Sequence, residues 1–272
     1  MTTYAGATEG LRAELEAGVL RLTLDRPEKR NALTDPIMVG LCDALTAAGN
    51  DEAVRVILLT GAGDHFCGGA DIVARNAGND TRERPRAGSI QRRVPTTAHR
   101  LVPLVCSVQT PVVCAVRGWA AGIGFQLALA ADFTIATDDA TFWEPFVDRG
   151  FTPDSGATWL LPRRVGVTRA RELLLLGRKL SGAEAAEWGA IHQAVGAERL
   201  DAEVDGVLDR LAHGPTVALG LTKWLLHQGD QRALEPQLAD EAFALELSSR
   251  TTDFREGLKA FAEKRPPHFE GR

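Results

Sequence analysis

Apolar and polar residues take turns at the start of the chain and then segregate. Over Leu11–Glu16 and Val19–Asp25 they alternate around Gly18, the pattern of a hairpin with one face in a core. Thr34-Asp-Pro36 can start a helix running to about Ala48, with Ile37, Leu41, Leu45 and Ala48 on one face. Val54–Thr60 (VRVILLT) is an apolar run, as expected for a strand covered on both faces. Pro111–Val116 repeats that pattern, Gly122–Ala131 reads as a helix of small residues, and Phe133–Ala136 as a third strand. This succession argues for an α/β fold, a parallel sheet with crossover helices. Residues 74–100 are charged and Arg-rich without a strong period, and read as a loop followed by a helix. Beyond Pro162 the patterns are helical: Arg169–Leu176, Gly182–Gly189, Glu198–Ala212, Thr216–His227, Pro236–Ser249 and Asp253–Lys264. The expected division is a core over 1–197 and a helical region over 198–272. Leu219, Leu225, Leu234, Leu238, Phe243 and Leu247 are many large apolar residues for terminal helices. Both a cap on the chain's own core and a subunit interface stay open.

Composition narrows the class. The 272 residues, 44% hydrophobic and 25% charged, suit an ordinary globular protein. A net charge of −5 with no basic stripe argues against nucleic acid as a partner. Cys42, Cys67, Cys106 and Cys114 show no CxxC spacing and no nearby His cluster, so neither zinc nor a disulfide framework is expected. No basic-then-apolar leader and no membrane-length apolar run is visible, which points to the cytoplasm and no membrane partner.

Two glycine-rich turns carry the chemistry. His65-Phe-Cys-Gly68-Gly69-Ala70-Asp71 and Gly118-Trp-Ala-Ala-Gly122-Ile-Gly124 each follow a buried strand. Glycines let such turns present backbone N–H groups, and a helix N-terminus favours negative charge. The second is not a dinucleotide loop, because Leu127 stands where the third glycine belongs. Taken as a pair, the turns read as two donors for one carbonyl oxygen, a thioester for example. Elsewhere Phe151-Thr-Pro-Asp154-Ser-Gly156 sets a lone acid before a helix. Asp154 is either that helix's N-cap or a proton shuttle. His65 is read as a packing or surface residue.

At these residues the chain resembles a family. HFCGGADI and VRGWAAGIGFQLALAADFTIA resemble the two oxyanion motifs of the crotonase (enoyl-CoA hydratase/isomerase) superfamily. RPEKRNAL (26–33), DEAVRVILLTGAG (51–63), LPRRVG (161–166) and REGLKAFAEKRPPHF (255–269) extend the likeness in the family's order. The resemblance implies a crotonase-like spiral of ββα units with a helical C-terminal trimerisation region. It implies acyl-CoA thioester substrates, no metal or redox cofactor, and a homotrimer or homohexamer. By position, the oxyanion donors would be the N–H groups of Ala70 and Ile123, in turns shaped by Gly69 and Gly122. Lys29 and Arg30, with Phe261 and Lys264 often from a neighbouring subunit, would hold the coenzyme. A solvated charge or a core aromatic is the alternative for these four.

Hydratases of this family use two glutamates, and here those positions are Gln126 and Phe146. An amide is no general base near neutral pH, and a phenyl ring carries no mobile proton. FTPDSGATWLLPRRVG closely resembles the acid-bearing loop of ring-epoxide phenylacetyl-CoA isomerases, and less closely those of Δ3,Δ2-enoyl-CoA isomerases and 4-chlorobenzoyl-CoA dehalogenase. LSGAEAAEWGAIHQAV (180–195) resembles the same isomerase branch. The implied activity is an acyl-CoA isomerase that shifts a double bond, or rearranges a ring epoxide, with Asp154 as single acid/base, in a dry surround of Phe146, Phe151 and Trp159. Glu144 is expected to face solvent. A hydratase with relocated acids (Glu144 or Asp148) and a non-catalytic acyl-CoA-binding protein are the alternatives. The retained Asp154 argues against pure binding.

Overall fold

The computed structural model describes residues 2–71, 88–229 and 232–272. The N-terminal alternation forms a meander of β1 (Thr2–Thr3), β2 (Leu11–Glu16) and β3 (Val19–Leu24). β2 and β3 pair antiparallel from Leu11↔Leu24 to Glu16↔Val19. Ala17 (φ 48°) and Gly18 (φ 82°) both lie in the left-handed region, the backbone of a two-residue hairpin turn whose twist matches its strands. There follow β4 (Val56–Gly61), β5 (Val112–Val116), β6 (Trp119–Ala121), β7 (Phe133–Thr137), β8 (Thr141–Trp143), β9 (Leu180–Ser181) and β10 (Gln193–Val195). The main sheet runs β1-β2-β3-β4-β5-β7-β10, parallel from β3 onward, and β6-β8-β9 form a second small sheet. The helices are α1 (Asp35–Ala48), α2 (Ser89–Arg93), α3 (Ala98–Ser107), α4 (Ile123–Ala130) and α5 (Ala157–Leu175), then α6 (Gly182–Glu187), α7 (Leu200–Ala212), α8 (Thr216–Gly229), α9 (Leu234–Ser248) and α10 (Thr252–Glu263).

The apolar run of β4 is explained by its two covered faces. Ile57 and Leu59 pack into the large core with α1, α3 and α4. Val56 and Leu58 face the other way, against Leu200, Val204 and Leu208 of α7. The expected strand begins two residues late because Val54 N–H bonds Asp51 O in a turn. Arg55 then reaches out to Thr216 Oγ1 (3.1 Å) and Gly214 O (2.6 Å), which ties the strand entry to the start of α8. The helix start at Thr34 forms as expected, its hydroxyl accepting from Ile37 N–H.

Several readings change. The first helix of the 198–272 region, α7, closes the second face of the sheet. The helix expected from Arg169 is the second half of α5, which starts at Ala157 and kinks at Gly166 (φ 77°, ψ 160°). Of residues 74–100, those at 74–87 lie outside the described residues, and the rest hold α2 and the start of α3.

α8 is pinned to the core by a buried cation. Lys223 Nζ reaches Asp132 Oδ2 (2.7 Å), Val105 O (3.0 Å) and Thr110 O (3.3 Å). Burial lowers its pKa and the Asp132 charge opposes that. Lys223→Ala is expected to destabilise the fold by about 3 kcal/mol in denaturant unfolding, since Asp132 and two carbonyls lose their partner. Large side chains on α8, α9 and α10 stay exposed within the chain, among them Leu226 (73%), Leu234 (68%), Phe243 (60%) and Phe261 (86%).

Candidate active site

One bridge sets the geometry of both turns. Cys67 N–H donates to Trp119 O (2.8 Å), and Cys67 O accepts from Ala121 N–H (2.9 Å), pairing Cys67 with Ala120 in parallel. Three residues further along each strand stand Ala70 and Ile123, so the turns leave this bridge side by side. Neighbouring strands lie about 4.8 Å apart. Close approach continues beyond it. Gly69 has φ 98°, and a Cβ there would stand 3.0 Å from Ala121 O. A Cβ on Gly124 would fall 2.7 Å from Cys67 Cβ and 2.8 Å from Cys67 O, so α4 can sit against the first turn only with glycine there.

The same bonding leaves two amides free. Leu33 N–H donates to Gly69 O (2.8 Å) and Asp71 N–H to Leu33 O (2.9 Å). A parallel bridge of this form engages the amides on either side of Ala70 and turns Ala70 N–H away from Leu33. Gly122, the N-cap of α4, gives its own N–H to Trp143 O (2.9 Å). Ile123 N–H belongs to the first helical turn, which has no intrahelical acceptor. Among the described residues neither the Ala70 nor the Ile123 N–H has an acceptor.

Buried groups hold this arrangement. Asn31, 1% exposed, donates from Nδ2 to Ala62 O (2.9 Å) and His65 O (2.6 Å) and accepts Arg26 N–H at Oδ1 (2.8 Å). It was not singled out from the sequence, although it lies in the RPEKRNAL segment. Trp119 N–H faces His65 Nδ1 (3.4 Å), so His65 packs on the second turn. Burial pushes the Cys67 thiol up to about 12, which keeps it protonated and inert at neutral pH.

Asp154 is not the cap of α5. The N-cap is Gly156 (φ 92°), with no side-chain cap bond. The Asp154 main-chain oxygen accepts Ala157 N–H (3.1 Å), and among the described residues its carboxylate has no hydrogen bond or ion pair. Ser155 also has a positive φ (52°), so two left-handed residues in a row follow the acid. Such a non-glycine residue stores about 1–3 kcal/mol of strain and is held by its surroundings. The dry surround expected for Asp154 does not form in the chain by itself. The turn buries Ser155 (4% exposed) and swings Asp154 outward, where it is exposed. Phe151 is 40% exposed, and Phe146, 4% exposed, meets it edge-on at 5.5 Å. Beside this turn opens an apolar cavity of about 320 Å³, lined by Val102, Pro103, Ser155, Gly156, Trp159 and Leu160 among others. That is the size of a small-molecule site.

Glu144 corrects the expectation that it faces solvent. It is 1% exposed and lies against Gln126, 0% exposed, whose Nε2 stands 2.8 Å and 2.9 Å from the two carboxyl oxygens. The strand β8 ends one residue earlier, on the same seam where Trp143 O holds Gly122, and this directs the side chain inward. Burial raises the Glu144 pKa well above the usual range; the Gln126 bond opposes this and the Asp154 charge adds to it. Gln126 itself is engaged by Glu144 and has no surface to offer a substrate. Asp148 is exposed and lies against the Gly177 turn.

Lys29 and Arg30 are exposed at the edge of the first turn. Arg30 O accepts Gly68 N–H (2.7 Å), and its guanidinium lies 5.8 Å from the Trp119 ring centre. Phe261 and Lys264 are not brought there by this chain. Both are exposed on or just past α10, without a hydrogen bond, ion pair or ring contact to either turn among the described residues.

Comparison with known proteins gives one picture. The enoyl-CoA hydratase/isomerase family model matches residues 14–272. The chain is 41% identical over 265 residues to the 1,2-epoxyphenylacetyl-CoA isomerase of Escherichia coli (strain K12), covering 97% of this chain and 99% of that one. It is 34% identical over 264 residues to the crotonyl-CoA hydratase of Syntrophomonas wolfei, covering 97% and 98%. The crystal structure of an enoyl-CoA hydratase from Bacillus anthracis superposes with a TM-score of 0.88 at 31% identity, covering 97% of this chain and 100% of that one.

Proposed function

We infer the reaction from one premise: the chain belongs to the enoyl-CoA hydratase/isomerase family. Within it, the best-supported reading is an acyl-CoA isomerase. The thioester oxygen would accept hydrogen bonds from the N–H groups of Ala70 and Ile123. Asp154 would remove a proton made acidic by that carbonyl, and the resulting enolate would carry its charge on the oxygen held by those two N–H groups. The same carboxyl would return the proton to another carbon and shift the double bond. Each amide donor supplies about 3 kcal/mol to such a charge.

The observation that carries this reading is the unemployed carboxylate of Asp154. It caps nothing and pairs with nothing among the described residues, yet it directly precedes Ser155 and Gly156, which line the cavity. A bound acyl group would displace water from it. The hydratase alternative loses both stand-in acids, because Glu144 is buried against Gln126 and Asp148 lies at Gly177. The 41% identity to a 1,2-epoxyphenylacetyl-CoA isomerase favours a second substrate class, aryl-CoA epoxides, on which the same carboxyl would assist ring expansion. The exposed apolar side chains of α8, α9 and α10 suit a homotrimer or homohexamer, in which Phe261 and Lys264 of one copy would reach the coenzyme of the next.

Ultraviolet absorbance separates the readings. A 3-enoyl-CoA should gain the conjugated thioester signal, and a 2-enoyl-CoA should not lose it by hydration. Loss from the 2-enoyl compound at the faster rate would make the protein a hydratase.

A further inference from the structure

We propose that Glu144 is a positioning residue that carries a proton and, as a neutral acid, hydrogen-bonds the Gln126 amide, fixing the turn that presents Ile123 N–H. Two facts of the buried pair point to it. Among the described residues no cation lies within ion-pair distance of Glu144, and the charge it feels is that of Asp154, of its own sign. An ionised carboxylate buried to 1% exposure would stand uncompensated. Meanwhile Gln126 Oε1 is buried without a hydrogen-bond partner while Nε2 faces both Glu144 oxygens.

An amide's oxygen and nitrogen fill nearly the same space. With the two exchanged, the Glu144 O–H donates to Gln126 Oε1 at the separations of 2.8 Å and 2.9 Å that Nε2 now holds. The contact is then a hydrogen bond between two neutral groups. Burial, the largest influence on Glu144, favours the same protonated state. The groups that act on this carboxyl are Gln126 from α4, by hydrogen bond, and Asp154 from the segment before α5, by its charge.

The location gives the pair its role. Gln126 stands three residues past Ile123, and its own N–H bonds Gly122 O (3.1 Å). Gly122 N–H bonds Trp143 O, the residue before Glu144. The acid–amide contact is therefore a second fastener across the seam between β8 and α4, and it aims the Ile123 amide. Being neutral, it also keeps a second negative charge away from the developing enolate.

The proton is tested on the free protein, without substrate, by infrared difference spectroscopy between wild type and Glu144→Gln. This keeps the outcome independent of the isomerase reading, on which only the positioning role rests. Wild type at neutral pH should show a protonated carboxylic C=O band that the variant lacks, and Asp154→Asn should move its titration to lower pH by removing a like charge. Stability follows with a defined sign. As pH rises above the ordinary glutamate range the unfolded chain releases this proton first, so wild type loses melting temperature relative to Glu144→Gln up to the native titration point. In kinetics, Glu144→Ala should lower kcat about tenfold or more with KM little changed. Glu144→Gln should recover most of that loss and remove the alkaline fall of kcat expected of wild type. A carboxylate band at neutral pH in wild type, or a Glu144→Gln variant as inactive as Glu144→Ala, would overturn the proposal.

Discussion

Asp154→Asn is expected to lower kcat about 1,000- to 10,000-fold and to leave acyl-CoA affinity nearly unchanged. The size follows from the double duty of one side chain. The same carboxyl takes the proton from one carbon and gives it to another, and the positions that carry a hydratase's acids hold Gln126 and Phe146. An asparagine keeps the shape and can do neither step. The fold should be indifferent, because the Asp154 side chain is exposed, makes no cap and has no partner among the described residues. Unfolding free energy should move by less than about 0.5 kcal/mol, as for surface positions generally. Single-turnover kinetics with a 3-enoyl-CoA, beside calorimetric titration of a saturated acyl-CoA, checks both halves.

The second large effect should come from removing one backbone donor. Ile123→Pro is expected to lower kcat about 100- to 1,000-fold, the usual consequence of losing one oxyanion donor, or about 3–4 kcal/mol. Proline is suited to this position. Ile123 is the first residue of α4, its N–H serves no helical bond, and a first-turn proline continues the helix without penalty. Some packing is lost, since Ile123 is 4% exposed, and Ile123→Val serves as the control that shrinks the side chain but retains the amide. The contrast between the two variants isolates the N–H. If Ile123→Val fell as far as Ile123→Pro, the loss would belong to packing.

Legibility in the sequence divided along physical lines. The β2–β3 hairpin, the Thr34 cap and the strands near Val56, Val112 and Phe133 were visible because alternation, capping oxygens and apolar runs are local signals. The two turns were visible as glycine clusters, and their register comes from one bridge between Cys67 and Ala120. The small sheet β6-β8-β9 was not foreseen, for strands of two or three residues carry no period. Nor could periodicity show that α7 would close the sheet's second face, because its apolar stripe matches any apolar partner. Around the acid the errors were instructive. The aromatics near Asp154 suggested a dry pocket, but consecutive positive φ values at Ser155 and Gly156 turn the acid out and the serine in. The dry carboxyl is Glu144, whose burial depends on Gln126, 18 residues away. A signal was present: an acid and an amide together occupy the segments where hydratases carry their glutamates, and a polar residue on an otherwise apolar helix needs a partner.

The central claim is that the Asp154 carboxyl removes the proton next to the thioester. It is tested most directly with a 3-enoyl-CoA carrying deuterium on its α-carbon, followed by mass spectrometry under turnover. Wild type should strip deuterium from that carbon, passing it to the γ-carbon or to water, while Asp154→Asn binds the compound and leaves the label in place. Loss of the α-label in Asp154→Asn at the wild-type rate would contradict the account.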